Sequence, residues 1–145
     1  MAFDVYLDTS ALVKLYLVEP ESGTVAHWLL GHRPPVPYSS LHELEVTHAI
    51  ERKCLEADFG FRQATLTRST LEKDLAEGVL ERPAPDWPGI FARAIHLLRQ
   101  HRGLRSLDGL HVGSALEYGC VWFVSFDARQ RKVASAEGLK VWPTS

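Results

Sequence analysis

The sequence predicts an α/β fold in which a parallel sheet is covered by helices on both faces, a three-layer α/β/α sandwich. Three observations carry this reading. Short, wholly apolar runs such as "VYL" (Val5 to Leu7) and the apolar "VWFVSF" (Val121 to Phe126) leave no solvated face, as expected of strands buried on both sides. Stretches with helical spacing alternate with these runs. The 145 residues, 46% hydrophobic and 23% charged, suffice for one compact domain over 1–145 and are too few for two.

The elements follow in order. After Val5 to Leu7, the residues Ala11, Leu12, Leu15 and Tyr16 recur at helical intervals until Pro20 interrupts, and "ESGTVAHWLL" forms a second helix closed by Gly31. "VPYS" (Val36 to Ser39) is the next strand, with Pro37 better suited to a strand start than to its middle. Ser40 and Glu43 have capping-box spacing and open a helix carrying Leu41, Leu44, Val46, Ala49 and Ile50 to about Ala57. "FRQATLTRSTLEKDLAEG" is a helix ending at Gly78; Asp86 and Pro88 start the next, which carries Ile90, Phe91, Ile95 and Leu98 and stops by Gly103. Ser106 caps "LDGLHVGSALEYG", Gly119 ends it, and Asp127 caps "ARQRKVASAEG" after the strand "VWFVSF". "LKVW" is a final short strand.

A formal charge of -2 gives no whole-molecule attraction for a polyanion, so nucleic-acid binding requires local clusters of Arg and Lys. Cys54 and Cys120 have neither metal-knuckle spacing nor a secretory setting and are expected to be reduced and buried. The N-terminal residues lack the basic and apolar regions of a signal peptide, and no apolar run approaches the roughly 20 residues of a membrane span. A soluble cytoplasmic protein with no membrane contact is expected.

Four acids stand where strands end or helices begin. Asp8 follows the first strand and Asp127 follows "VWFVSF"; Glu45 and Asp108 fall in first helical turns after the second strand and before "VWFVSF". In an open parallel sheet the ligand crevice lies beyond the carboxyl ends of the strands. Carboxylates gathered there repel one another unless a cation sits among them, and oxygen ligands with retained waters suit Mg²⁺ or Mn²⁺. Such an ion can activate water and polarise a phosphoryl oxygen. Each acid also has an ordinary structural role available: Asp8 and Asp127 as helix caps, Asp108 as a partner of the helix dipole. Glu45 is preferred to Glu43 because a glutamate three residues after a capping serine already has a task. His42 and His48 are six residues apart, not the four that would place both on one zinc. His111 reads as a hydrogen-bonding residue rather than a general base, and Trp28, Trp87, Trp122 and Trp142 as packing. Basic clusters adjoin two of the acids: "RQHRGLR" with Arg99, Arg102 and Arg105 before Asp108, and "ARQRK" with Arg129, Arg131 and Lys132 after Asp127.

The blocks "YLDTSALVKLY", "SSLHELEVTHAIERK", "LRSLDGLHVGSAL" and "VSFD", in that order, resemble the acid-bearing blocks of PIN-domain ribonucleases, most closely VapC-type toxins of toxin–antitoxin pairs. The resemblance spans nearly the whole chain. It implies a PIN-like strand order of 3-2-1-4-5 and an endoribonuclease that uses Mg²⁺ or Mn²⁺, leaving a 5′-phosphate and a 3′-hydroxyl. It places the family's metal-binding acids on Asp8, Glu45, Asp108 and Asp127, with Ser125 where the family has Thr or Ser. Thr9, Arg105 and Arg129 are the further candidates to support the acids or grip RNA. Gly109 and Gly113 stand where alanines are more usual, which would loosen that helix. The implied partners are RNA, a small VapB-like antitoxin and a second copy in a homodimer. An aspartyl-phosphate phosphatase would need an acid where Ser10 stands, and a receiver domain would need an early pair of acids. A PIN-like binding module with weak or no nuclease activity is the competing function.

Overall fold

The computed structural model describes residues 3–144. The elements in chain order are β1 (Val5–Leu7), α1 (Thr9–Val13), α2 (Ser22–Leu30), β2 (Val36–Pro37), α3 (Ser40–Lys53), α4 (Phe61–Ala76), β3 (Leu80–Glu81), α5 (Trp87–Gln100), α6 (Ser106–Glu117), β4 (Trp122–Val124), α7 (Ala128–Ala136) and β5 (Lys140–Trp142). They form two compact units, Met1–Asp8 with Ala84–Ser145, and Thr9–Pro83.

In the first unit β4 pairs in parallel with β1 on one side and β5 on the other, with Phe123 opposite both Tyr6 and Val141. These are the 1-4-5 neighbours of the expected order. Tyr6 and Phe123 are fully buried, and their rings stack with centroids 5.7 Å apart. Leu97 of α5, Val112 and Ala115 of α6, and Val133 and Ala134 of α7 complete this core. Each fully buried large apolar side chain stabilises the fold by about 1.5–3 kcal/mol relative to exposure.

The helices begin where the chemistry of their first residues allows. Asp86 caps α5, its carboxylate accepting the Gly89 N–H at 3.2 Å, and Pro88 occupies the first turn where a missing N–H costs nothing. Ser106 does not cap α6; Arg105 is the N-cap residue, without a side-chain cap bond, and Ser106 is the first helical residue. Gly119, with φ of +70°, ends that helix in the left-handed region as expected. At Gly109 and Gly113 α6 runs close against α5: a Cβ at Gly113 would stand 3.4 Å from the Ile90 carbonyl oxygen, and one at Gly109 3.5 Å from that of Ala94. The two glycines form the contact surface between α6 and α5.

In the second unit β2 and β3 pair in parallel, Val36 opposite Leu80 and Pro37 opposite Glu81, the 3-2 neighbours of the expected order. Pro37 ends β2 instead of starting it. It is tolerated because the donors to β3 are the N–H groups on either side, Val36 to the Val79 carbonyl and Tyr38 to that of Glu81. β3 itself has no counterpart in the expected elements. The capping box of α3 also lies one residue earlier than its spacing suggested: Ser39 is the N-cap, its hydroxyl accepting the His42 N–H and its N–H donating to His42 Nδ1 at 3.1 Å. Glu43 instead pairs with Arg82 at 2.5 Å on the surface, and α3 stops at Lys53 rather than near Ala57.

Candidate active site

The edge of the first unit's sheet sets three of the predicted acids. The Asp8 N–H continues the ladder beyond β1 by donating to the Val124 carbonyl at 3.0 Å, and Ser125 does the same beyond β4 by donating to that of Trp142. Their side chains are thereby neighbours. The Ser125 hydroxyl donates to Asp8 Oδ2 at 2.7 Å and accepts the Asp127 N–H at 3.0 Å. Both Asp8 (1% exposed) and Ser125 (0%) are buried, so this one hydroxyl ties the first acid to the backbone of the fourth.

Asp127 caps α7 as expected, Oδ1 accepting the N–H groups of Arg129 at 2.8 Å and Gln130 at 3.4 Å. Asp108, in the first turn of α6, is buried and takes two donors: Gln130 Nε2 to Oδ1 at 2.8 Å and Arg105 Nε to Oδ2 at 3.2 Å. Arg105 also places Nη2 3.6 Å from Asp127 Oδ2, bridging two acids while its own side chain stays 67% exposed. Arg131 Nη1 donates to the Ser125 carbonyl at 2.8 Å. Arg129 is exposed and lends the group only its backbone N–H.

Asp8, Ser125, Asp127, Arg105 and Asp108 are therefore linked through successive polar contacts within one unit. Gln130, which connects Asp108 with the capping bond of Asp127, was not foreseen. Its Oε1 is buried and has no hydrogen-bond partner among the described residues. A buried acceptor left so costs about 1–3 kcal/mol. The only sequence signal for it is its place three residues after a capping aspartate, which turns a polar side chain back toward the helix start.

Glu45 and Thr9 belong to the second unit, where the Thr9 hydroxyl donates to Glu45 Oε1 at 2.7 Å. Glu45 is half-buried and lies in α3 beyond the residues of the capping box. His42 is fully buried in that box, whereas His48 is exposed. His111 is buried, sharing a 2.6 Å hydrogen bond with the Tyr6 hydroxyl. Burial holds the Tyr6 phenol well above its ordinary pKa, so it stays neutral. Trp28, Trp87, Trp122 and Trp142 are all half-buried. Cys120 is buried as expected, whereas Cys54 is only half-buried because it sits just past α3.

As the side chains stand, no three His, Cys, Asp or Glu among the described residues are arranged to hold one ion directly. The donor set nevertheless fits a hard cation. It offers carboxylates, a hydroxyl and an amide oxygen, without thiolate or imidazole, and Mg²⁺ characteristically takes one or two carboxylates and keeps several waters. Arg105 now supplies the positive charge between Asp108 and Asp127. A cavity of about 390 Å³ in the second unit, bordered by Leu15, Leu29, Val36 and Val79 with Tyr16 and Asp74, is mainly apolar and includes none of the predicted acids. Among the described residues no helix is long and apolar enough to cross a membrane.

Residues 5–136 match the model of the PIN domain family. Ribonuclease VapC35 of Mycobacterium tuberculosis is 31% identical over 143 residues, covering 94% of each chain. Ribonuclease VapC46 of the same organism is 31% identical over 144 residues, covering 94% of this chain and 95% of its own. The fold is similar to that in VapBC2 from Rickettsia felis bound to a DNA fragment from its promoter (TM-score 0.63, 15% identity, 96% and 97% of the two chains). It is also similar to that in FitAB bound to an IR36 DNA fragment (TM-score 0.66, 16% identity, 95% and 93%).

Proposed function

Because this chain belongs to the PIN-domain family, with VapC ribonucleases among its relatives, we propose that it is a metal-dependent endoribonuclease, the toxin of a toxin–antitoxin pair. The observation that carries the proposal is the linked group Asp8–Ser125–Asp127–Arg105–Asp108, which joins three of the four acids within the first unit. Asp8, Asp108 and Asp127 would hold Mg²⁺ or Mn²⁺, with Glu45 as the fourth acid on the pattern of the sequence. When bound, the ion lowers the pKa of water and neutralises charge on the phosphate.

The chain's own residues supply placement. Ser125 bonds one oxygen of Asp8 and the backbone of Asp127, so one hydroxyl sets the two acids relative to each other. Thr9 orients Glu45 in the second unit by donating to Oε1. Exposed Arg105 and Arg129 lie beside the acids in the chain and would bind phosphates flanking the cut, the local positive charge that a net charge of -2 otherwise withholds. RNA is the proposed substrate and a small VapB-like antitoxin and a second copy of the chain are the proposed partners. An antitoxin arginine would find in these carboxylates a bidentate site. A cytoplasmic location is part of the same reading.

The test is RNA cleavage by the purified chain with Mg²⁺ or Mn²⁺. Cleavage that disappears with chelator and in Asp8→Asn is expected. Equal cleavage by wild type and Asp8→Asn removes the mechanism; metal binding with no cleavage leaves a PIN-like binding module instead.

A further inference from the structure

Gln130 is 6% exposed, as buried as Asp108, yet it is a neutral amide that stands between two arginines in the sequence. Its orientation is determined. Asp108 Oδ1 is an acceptor, so the group 2.8 Å away must be the NH₂ end, since the flipped amide would set two oxygens against each other. The backbone N–H of the same residue is held by Asp127 Oδ1. With the NH₂ end and the backbone both committed to acids, Oε1 is fixed in position, buried, and without a donor among the described residues. Buried acceptors in folded proteins are nearly always satisfied, and a polar surrounding makes water the natural donor.

We propose that Gln130 is a positioning residue of the metal site: its NH₂ group fixes Asp108 Oδ1, leaving Oδ2 to face the cation, and its Oε1 accepts a hydrogen bond from a water of that cation's shell. Mg²⁺ and Mn²⁺ sites of this kind retain such waters, and a water bound to a cation is a strengthened donor. Arg105 on Oδ2 does not oppose this. It is exposed and exchangeable, whereas the bond to Gln130 is buried. The inference rests on the metal-dependent reading above and concerns a residue outside its four acids.

The experiment is Mn²⁺ titration of the purified full chain, followed by the paramagnetic resonance of free Mn²⁺, alongside thermal melting without metal. Gln130→Met keeps the length and removes both hydrogen-bonding groups. Mn²⁺ affinity is expected to fall about tenfold or more, the usual effect of losing a partner that orients a metal ligand. The metal-free melting temperature is expected to change little or fall slightly, because the bond to Asp108 Oδ1 is lost together with the unsatisfied oxygen. Gln130→Asn, whose amide is one methylene too short to reach Asp108, should lose affinity similarly. Wild-type Mn²⁺ affinity in both variants overturns the inference and leaves the ribonuclease reading intact. A lower metal-free melting temperature with unchanged affinity also overturns it, by making Gln130 purely structural. No Mn²⁺ binding by the wild type overturns both.

Discussion

Ser125→Ala tests the joint between the strands and the acids. In the native chain this hydroxyl makes two bonds inside the first unit, donating to the Asp8 carboxylate and accepting the Asp127 N–H, from a fully buried position. A hydrogen bond to a charged group contributes about 1.5–3 kcal/mol, and an N–H deprived of its acceptor in a part-buried setting adds about 1 kcal/mol, giving about 2.5–4 kcal/mol in all. For a chain of this size each kcal/mol shifts the melting temperature by about 2–4 °C, so a fall of roughly 5–15 °C is expected. Thermal melting by circular dichroism at pH 7 measures it, and Ser135→Ala on the exposed side of α7 is the control, expected within about 0.5 kcal/mol of wild type. A Ser125→Ala melt indistinguishable from the control would show that the hydroxyl does not join these residues, and the linked site would lose its central contact.

Two further predictions concern the same unit. Gly113→Ala should stabilise the chain by about 0.5–1 kcal/mol in urea denaturation, since a methyl there meets Ile90 and Ala94 at ordinary contact distance while the helix gains Ala's propensity; a loss of stability would mean the α5–α6 contact has no room to give. Burial raises the Cys120 thiol and the Tyr118 phenol to about 12 from ordinary values of 9.0 and 10.0. The unfolded chain therefore loses these protons first, and the stability they confer, intact below about pH 9, should drain away between pH 9 and 12. Urea midpoints across that range check it, with native-state alkylation at pH 8 modifying Cys54 and sparing Cys120.

The sequence could reveal the three acids of the first unit because their placement follows from topology: any residue just past a parallel strand, or in the first turn of the neighbouring helix, is delivered to the same edge. Details within a turn were less legible. Ser39 and Ser40 are both competent caps, and the choice fell on Ser39 because His42 could take the glutamate's part in the box, which no spacing rule for Glu43 anticipates. β3 has no legible sequence signal because its two residues, Leu80 and Glu81, are too few to show alternation, and it exists through pairing with β2. Gln130 was hidden among arginines and a lysine that read as a solvated face; only the capping bond at Asp127 turns it inward.

The electrostatics of the site divide into a fixed part and an exchangeable part. Asp8 is stabilised by a buried hydroxyl, Asp127 by the first N–H groups of α7, and one oxygen of Asp108 by a buried amide. Breaking any of these exposes a buried polar group or a helix end, so they persist whether or not a cation is near. The Arg105 contacts are different: at 67% exposure its ion pairs are worth only about 0–1 kcal/mol, because water screens them and the side chain gives up rotamer freedom to hold both acids. A divalent ion entering beside Asp108 and Asp127 would displace that exposed guanidinium while the buried bond from Gln130 stayed in place. On the proposed reading this is how a chain with net charge -2 can serve both metal and RNA: the charge that neutralises the acids in the free protein is released to a phosphate when the cation takes its place.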